Sequence, residues 1–234
     1  MMKTPILLAL LAASPVAAQQ FALPANCEAY LTIQGASCTV SHHFRCADDA
    51  DGDQRRATLD EEGLSYMGRI NNQAEWVESF HLRSQHTERL MSSADPMSMS
   101  TLLQDTVDTW DFTTQSAEIG ESQYVGMDRL TGETMVIDGV TLLRTEYALT
   151  AFDAAGEEVW RSEGSEFVHP EWRMFISGTS TYTTSDDTFE NDDTPVEFIF
   201  PDDPGFLSVN PKFGCGVQMS SFDATDLPAQ HATH

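Results

Sequence analysis

The chain has 234 residues, with 12 Lys+Arg against 37 Asp+Glu and a formal net charge of −25 at pH 7. A surface this acidic repels phosphate backbones and anionic lipid headgroups, so nucleic acid is excluded as a partner and acidic membranes are disfavoured. It would draw cations or a basic protein, although its first effect is on solubility.

From the N-terminus, Met1-Met2-Lys3-Thr4 gives a short positive start, 6–13 is an apolar run, and Ser14-Pro15 breaks it. Val16-Ala17-Ala18 then places small residues before Gln19. This is the three-part pattern of a secretory signal peptide, with cleavage expected after Ala18. The run falls far short of the roughly 20 apolar residues that cross a bilayer, and no later stretch is apolar enough to span one. The sequence predicts a signal peptide over 1–18, one β-rich domain over 19–221 and a flexible tail over 222–234. The protein is expected to be periplasmic or secreted.

Cys27, Cys38, Cys46 and Cys215 form an even set, which reads as two disulfides in an oxidising compartment. If Cys38 and Cys46 share one extended strand they lie about 26 Å apart, too far to pair. Two connectivities stay open: Cys27–Cys38 with Cys46–Cys215, or Cys27–Cys46 with Cys38–Cys215. Both tie the end of the chain to its beginning.

Asn26 is placed to cap a short helix through Ile33. The middle of the chain then alternates strand and turn. Strands are expected over 37–47, 55–59 and 64–70, with the acidic 48–53 as a turn. The segment 75–82 sets Trp76, Phe80 and Leu82 on one face and Ser79 and His81 on the other. Ser98 or Ser100 is placed to cap a turn or two of helix through Gln104. Strands follow over 107–113, with Trp110 and Phe112 on one face, then over 123–130 and 133–137 across Thr131-Gly132. Further strands are expected over 140–152, 158–168, 172–183 and 196–200, and the acidic 185–195 reads as a solvated loop. Turn-spaced windows rich in Val, Thr, Tyr, Phe and Trp describe an antiparallel up-and-down meander. Its edges are best protected by a closed or partly open barrel, with one or two short helices; a β-sandwich is the alternative.

Few residues carry chemistry at a recognisable spacing. Asp49, Asp51 and Asp53 offer alternate carboxylates to calcium, but Gly52 is misplaced for a calcium loop and an acidic hairpin turn explains the same residues. His42-His43 with Met91, Met97 and Met99 has ligand types that suit copper, yet neighbouring strand residues point to opposite faces. His231 and His234 lie in the tail. No Gly-x-Ser-x-Gly elbow or Ser-x-x-Lys is present, and the cysteines are committed to disulfides. His169-Pro170-Glu171-Trp172 marks a strand break. Arg144 and Glu146 share a strand face and read as a solvent-facing pair, or as a polar stripe if that face lines a barrel. No cofactor is implied.

The leading reading is a non-enzymatic binding or carrier protein for a small apolar or amphipathic molecule. Its expected ligand-binding residues are Trp76, Phe80, Trp110, Phe112, Arg144 and Glu146. The alternatives are a hydrolase or isomerase using carboxylate and histidine chemistry, and a ligand-free scaffold or assembly factor.

Overall fold

The computed structural model describes residues 20–216. The expected signal peptide and the 222–234 tail lie outside them. The described chain is nearly all-β, with one helix among thirteen strands. The strands are β1 (Cys27–Gly35), β2 (Thr39–Cys46), β3 (Gln54–Asp60), β4 (Gly63–Ile70), β5 (Trp76–His81) and β6 (His86–Asp95). After α1 (Met99–Asp105) come β7 (Val107–Ser116), β8 (Gly120–Ile137), β9 (Val140–Asp153) and β10 (Glu158–His169). The last three are β11 (Met174–Thr184), β12 (Thr188–Asp192) and β13 (Pro195–Ile199).

All thirteen belong to one antiparallel sheet. Each strand pairs with the next in sequence from β1 to β12, and β13 returns to the free edge of β1. Pairing does not close the sheet, and the architecture is a partly open barrel. Covalent connection closes what pairing leaves open. β12 lies on β11 at one edge and β13 on β1 at the other, so residues 193–194 step across the gap. Asp193 N donates to Gly178 O at 2.9 Å on the β11 side, and Ala36 N donates to Thr194 O at 3.0 Å on the β1 side. The Asp193 Oδ1 accepts from Ser37 Oγ at 2.7 Å and Thr39 Oγ1 at 2.6 Å. Behind this seam an apolar core joins the two ends of the sheet. Leu31 and Ile33 of β1 share it with Leu142, Phe167, Ile176 and Phe198.

A second interior core is aromatic. Trp110, Phe112 and Tyr124 are buried with Met99 and Leu102 of α1. Ser98 caps α1 as expected, its hydroxyl accepting from Thr101 N at 3.1 Å. A third core lies on the outer face, where Phe44 and Ala57 are covered by Phe21, Leu23, Phe206 and Leu207. His42 is buried there at 0% exposure, stacked on Phe21 at 5.0 Å. The Thr32 hydroxyl accepts from Leu207 N at 3.1 Å and shares a hydrogen bond with His42 Nδ1 at 3.0 Å.

The helix expected over 26–33 is instead β1. Asn26 has φ 62° and acts as a turn residue, and Tyr30, Thr32 and Ile33 favour extended backbone. Both faces of β1 are buried, which erases the alternation that marks a half-exposed strand. The 185–195 loop is also corrected, because it contains β12. That strand is exposed at all five positions and acidic, as suits an edge that must refuse further pairing. The turn expected at Thr131-Gly132 is a bulge within one long strand, where the β8–β9 register shifts between Leu130 and Thr134. β6 had no counterpart among the expected strands.

The disulfides are Cys27–Cys46 and Cys38–Cys215, the second of the two open connectivities. Thiol titration of unreduced protein in denaturant should find no free thiol. Replacing Cys38 and Cys215 by Ser should cost about 2–5 kcal/mol in urea unfolding. Asp193→Ala, which strips the acceptor from two hydroxyls at the seam, should cost about 1–3 kcal/mol.

Candidate functional site: the cavity inside the barrel

Between the two interior cores lies a cavity of about 310 Å³. Alternation along the strands decides what faces it. On one wall β3 contributes Gln54 and Arg56, and β4 contributes Tyr66, Gly68 and Ile70. On the opposite wall β9 contributes Tyr147 and Leu149, and β10 contributes Trp160, Ser162 and Glu166. Trp76, Met97 and Trp110 extend the apolar lining, as do Ala74, Met174 and Phe175.

Two glycines make room for the aromatic groups. A Cβ on Gly126 would stand 2.4 Å from the Trp110 ring, so only glycine lets that indole lie across β8. A Cβ on Gly68 would stand 2.2 Å from the Tyr66 hydroxyl, which folds back over its own strand.

Four ionisable groups share this largely apolar space. Burial pushes the Glu166 carboxyl up to about 8, the Asp128 charge pushes the same way, and Arg56 opposes both. Glu166 is half-buried and lines the cavity. Burial also raises Asp128, to about 6, against the hydrogen bond that Trp110 Nε1 donates to it at 2.9 Å. His43 is driven down to about 3, first by burial and then by the Arg56 charge. At neutral pH, Glu166 is mostly protonated, His43 is neutral and Asp128 is mostly ionised. Arg56 lies over the Tyr66 ring, 5.0 Å from its centroid. Among the described residues, neither the Arg56 guanidinium nor the Glu166 carboxyl has a hydrogen-bonding protein partner. The adjacent Arg55 is different, since Asp49 holds it through two hydrogen bonds of 2.6 Å.

The candidates from the sequence scatter. Trp76 and Trp110 line the cavity, while Phe112 sits beside them in the aromatic core, 1% exposed and 5.5 Å from Trp76. Phe80 is 38% exposed on the outer face. Ile70 pairs with Trp76 but Arg69 pairs with Glu78, so Val77 bulges and Trp76 and Phe80 take opposite faces. Arg144 and Glu146 also lie on the outer face, paired not with each other but with Glu133 at 3.0 Å and with Arg129. In the 49–53 turn Asp51 is exposed, and the Asp49 and Asp53 carboxylates are engaged by Arg55 and by Arg69, the latter at 2.5 Å. His42 and His43 occupy opposite faces; Met97 lines the cavity, Met99 is in the core and Met91 is exposed. His169 stacks on Trp172 at 3.8 Å in the turn before β11.

One further cluster has metal-ligand residue types. His81, His86 and Glu88 bring ligand atoms within 4.8 Å of one another at the β5–β6 hairpin. The two imidazoles are stacked at 4.5 Å and 13°, so their lone pairs run side by side instead of converging. Glu88 is already held by Tyr124 Oη at 2.8 Å and Thr114 Oγ1 at 3.2 Å. Its carboxylate works within the fold.

Sequence reasoning missed Arg56, Asp128, Tyr147, Trp160 and Glu166. The available signal was the shared face of Trp160, Ser162, Gly164 and Glu166, in which one carboxylate keeps company with an indole and a glycine. No known family model matches the chain, and no curated protein or solved structure matches it.

An unfolded Glu166 releases its proton near the ordinary 4.5, whereas the folded one holds it to about 8. The native state therefore binds more protons between those values, and stability falls as pH rises through that window. Glu166→Gln should leave stability at about pH 4 unchanged and raise it at about pH 8 by about 2–4 kcal/mol, measured by urea unfolding.

Proposed function

We propose that this chain is a non-enzymatic binding or carrier protein that holds a small apolar or amphipathic molecule inside the barrel. The observation that carries this reading is the cavity. It has aromatic and aliphatic walls and polar groups, Arg56 and Glu166 among them, that have no hydrogen-bonding protein partner among the described residues. Its volume falls at the lower end of the roughly 300–1,000 Å³ usual for small-molecule sites. Arg56 and Glu166 would fix the orientation of a molecule whose body is held by apolar contact. We place the protein in the periplasm or outside the cell, after cleavage near Ala18. Two disulfides support an oxidising compartment, and no described helix is long and apolar enough to cross a membrane.

A specific observation favours a second reading, an acid–base enzyme such as a hydrolase or isomerase. Glu166 and Asp128 are carboxylates with raised pKa values in one cavity, as general acids and bases often are. No activated nucleophile accompanies them among the described residues. The one cavity serine, Ser162, shares a hydrogen bond with the Tyr147 hydroxyl at 2.9 Å.

The carrier reading is tested with N-phenyl-1-naphthylamine, a neutral dye that brightens in apolar sites. Wild-type protein should bind it with one-to-one stoichiometry. Leu149→Trp, which fills the cavity from β9, should abolish the signal while keeping its unfolding transition cooperative. Native mass spectrometry of protein purified without detergent should show a bound small molecule. No dye binding together with no co-purifying mass would overturn the reading.

A further inference from the structure

Resting on the carrier reading, we propose that the cavity selects a single-chain amphiphile with a carboxylate head, that the guanidinium of Arg56 anchors this head, and that Glu166 on the facing wall controls the anchor through its protonation. Arg56 is the cavity's uncommitted cation. Arg55, one residue away, is spent on Asp49, whereas the Arg56 guanidinium lies over the Tyr66 ring at 5.0 Å from its centroid and has no hydrogen-bonding protein partner among the described residues. The N–H fork of a guanidinium matches the two oxygens of a carboxylate. The tail has a matching environment in Ile70, Trp76, Trp110, Leu149 and Trp160.

The charge balance favours a monoanion of this kind. With a net charge of −25 the protein repels anions at long range, so an anion held here depends on a local cation and on apolar contact together. One guanidinium opposite two carboxyl groups does not suit a dianionic head.

Glu166 shares the cavity wall with Asp128 of β8, Tyr147 of β9, Arg55 and Arg56 of β3, His43 of β2, Tyr66 of β4 and Tyr182 of β11, and the charges that act on it are Asp128 and Arg56. As a neutral acid it leaves Arg56 to the ligand and can donate a hydrogen bond to the ligand carboxylate. As an anion it is itself a partner for Arg56 and repels the incoming head. His43 is already neutral well below neutral pH, and Asp128 titrates at lower pH than Glu166. Glu166 is therefore the group that switches as the medium turns alkaline.

The test displaces N-phenyl-1-naphthylamine with decanoate, 1-decanol and decylamine at about pH 6.5 and about pH 9. At the lower pH, decanoate should bind at least about tenfold tighter than decanol. Arg56→Gln should erase that advantage while leaving decanol binding in place, and Arg56→Lys should restore part of it. At the higher pH, wild-type protein should lose at least about tenfold for decanoate but not for decanol, and Glu166→Gln should keep its decanoate affinity. Equal binding of decanol and decanoate would overturn the head-group inference and leave the carrier reading standing. Tightest binding of decylamine would also overturn it, making the carboxyl wall the anchor. If dye and all three probes fail to bind, the carrier reading fails, and this inference with it.

Discussion

The interior of this protein depends on two residues that carry the chain from one edge of its sheet to the other. A long antiparallel meander has two open edges, and nothing in strand pairing obliges them to meet. Here the covalent chain obliges them, because β12 and β13 are consecutive yet lie on opposite ends of the strand order. Asp193 fixes the crossing by serving Ser37 and Thr39 from the far side. Only with the ends held do β3–β4 and β9–β10 face each other across a space instead of lying apart along a curved sheet.

What fills that space works against stability. A packed interior would replace Arg56, Asp128 and Glu166 with aliphatic groups, as close-packed cores normally do. Instead the protein keeps a carboxyl that is mostly protonated at neutral pH, a neutral histidine and a guanidinium with no hydrogen-bonding protein partner among the described residues. Each is costly to desolvate, and costs of this kind gather at functional sites. Glu88 is a useful contrast, because it is buried, yet against the effect of burial His81 beside it and the Tyr124 and Thr114 hydroxyls on one of its oxygens bring its pKa down. The chain satisfies a buried carboxylate where it serves the fold and leaves one unsatisfied beside the cavity.

The sequence made the fold legible wherever a strand has one wet face. β5, β7 and β9 alternate visibly, and Ser98 announced α1 by its capping chemistry. Legibility failed at the two extremes of burial. β1 is covered on both faces and lost its alternation, while β12 is exposed on both and resembled a loop. The site was harder to see. Trp76 and Trp110 stood out as a stripe, but one bulged residue, Val77, turned Phe80 outward, and bulges leave little trace in composition. Arg56 and Glu166 were hidden by abundance. In a chain this acidic a charged residue on a strand reads as part of the solvent face, and only the three-dimensional pairing of β3 with β2 and β4, and of β10 with β9 and β11, reveals the inward side.

The return of β13 to β1 also sets an order of events. As the chain is made, β1 and β2 can pair early, since only a short turn separates them. The second edge of β1 then has no partner until residues 195–199 have been added, after eleven other strands. Contacts so distant in sequence are slow to form, and an unpaired strand edge invites pairing with the wrong chain while it waits. The first strand laid down is thus among the last to be completed.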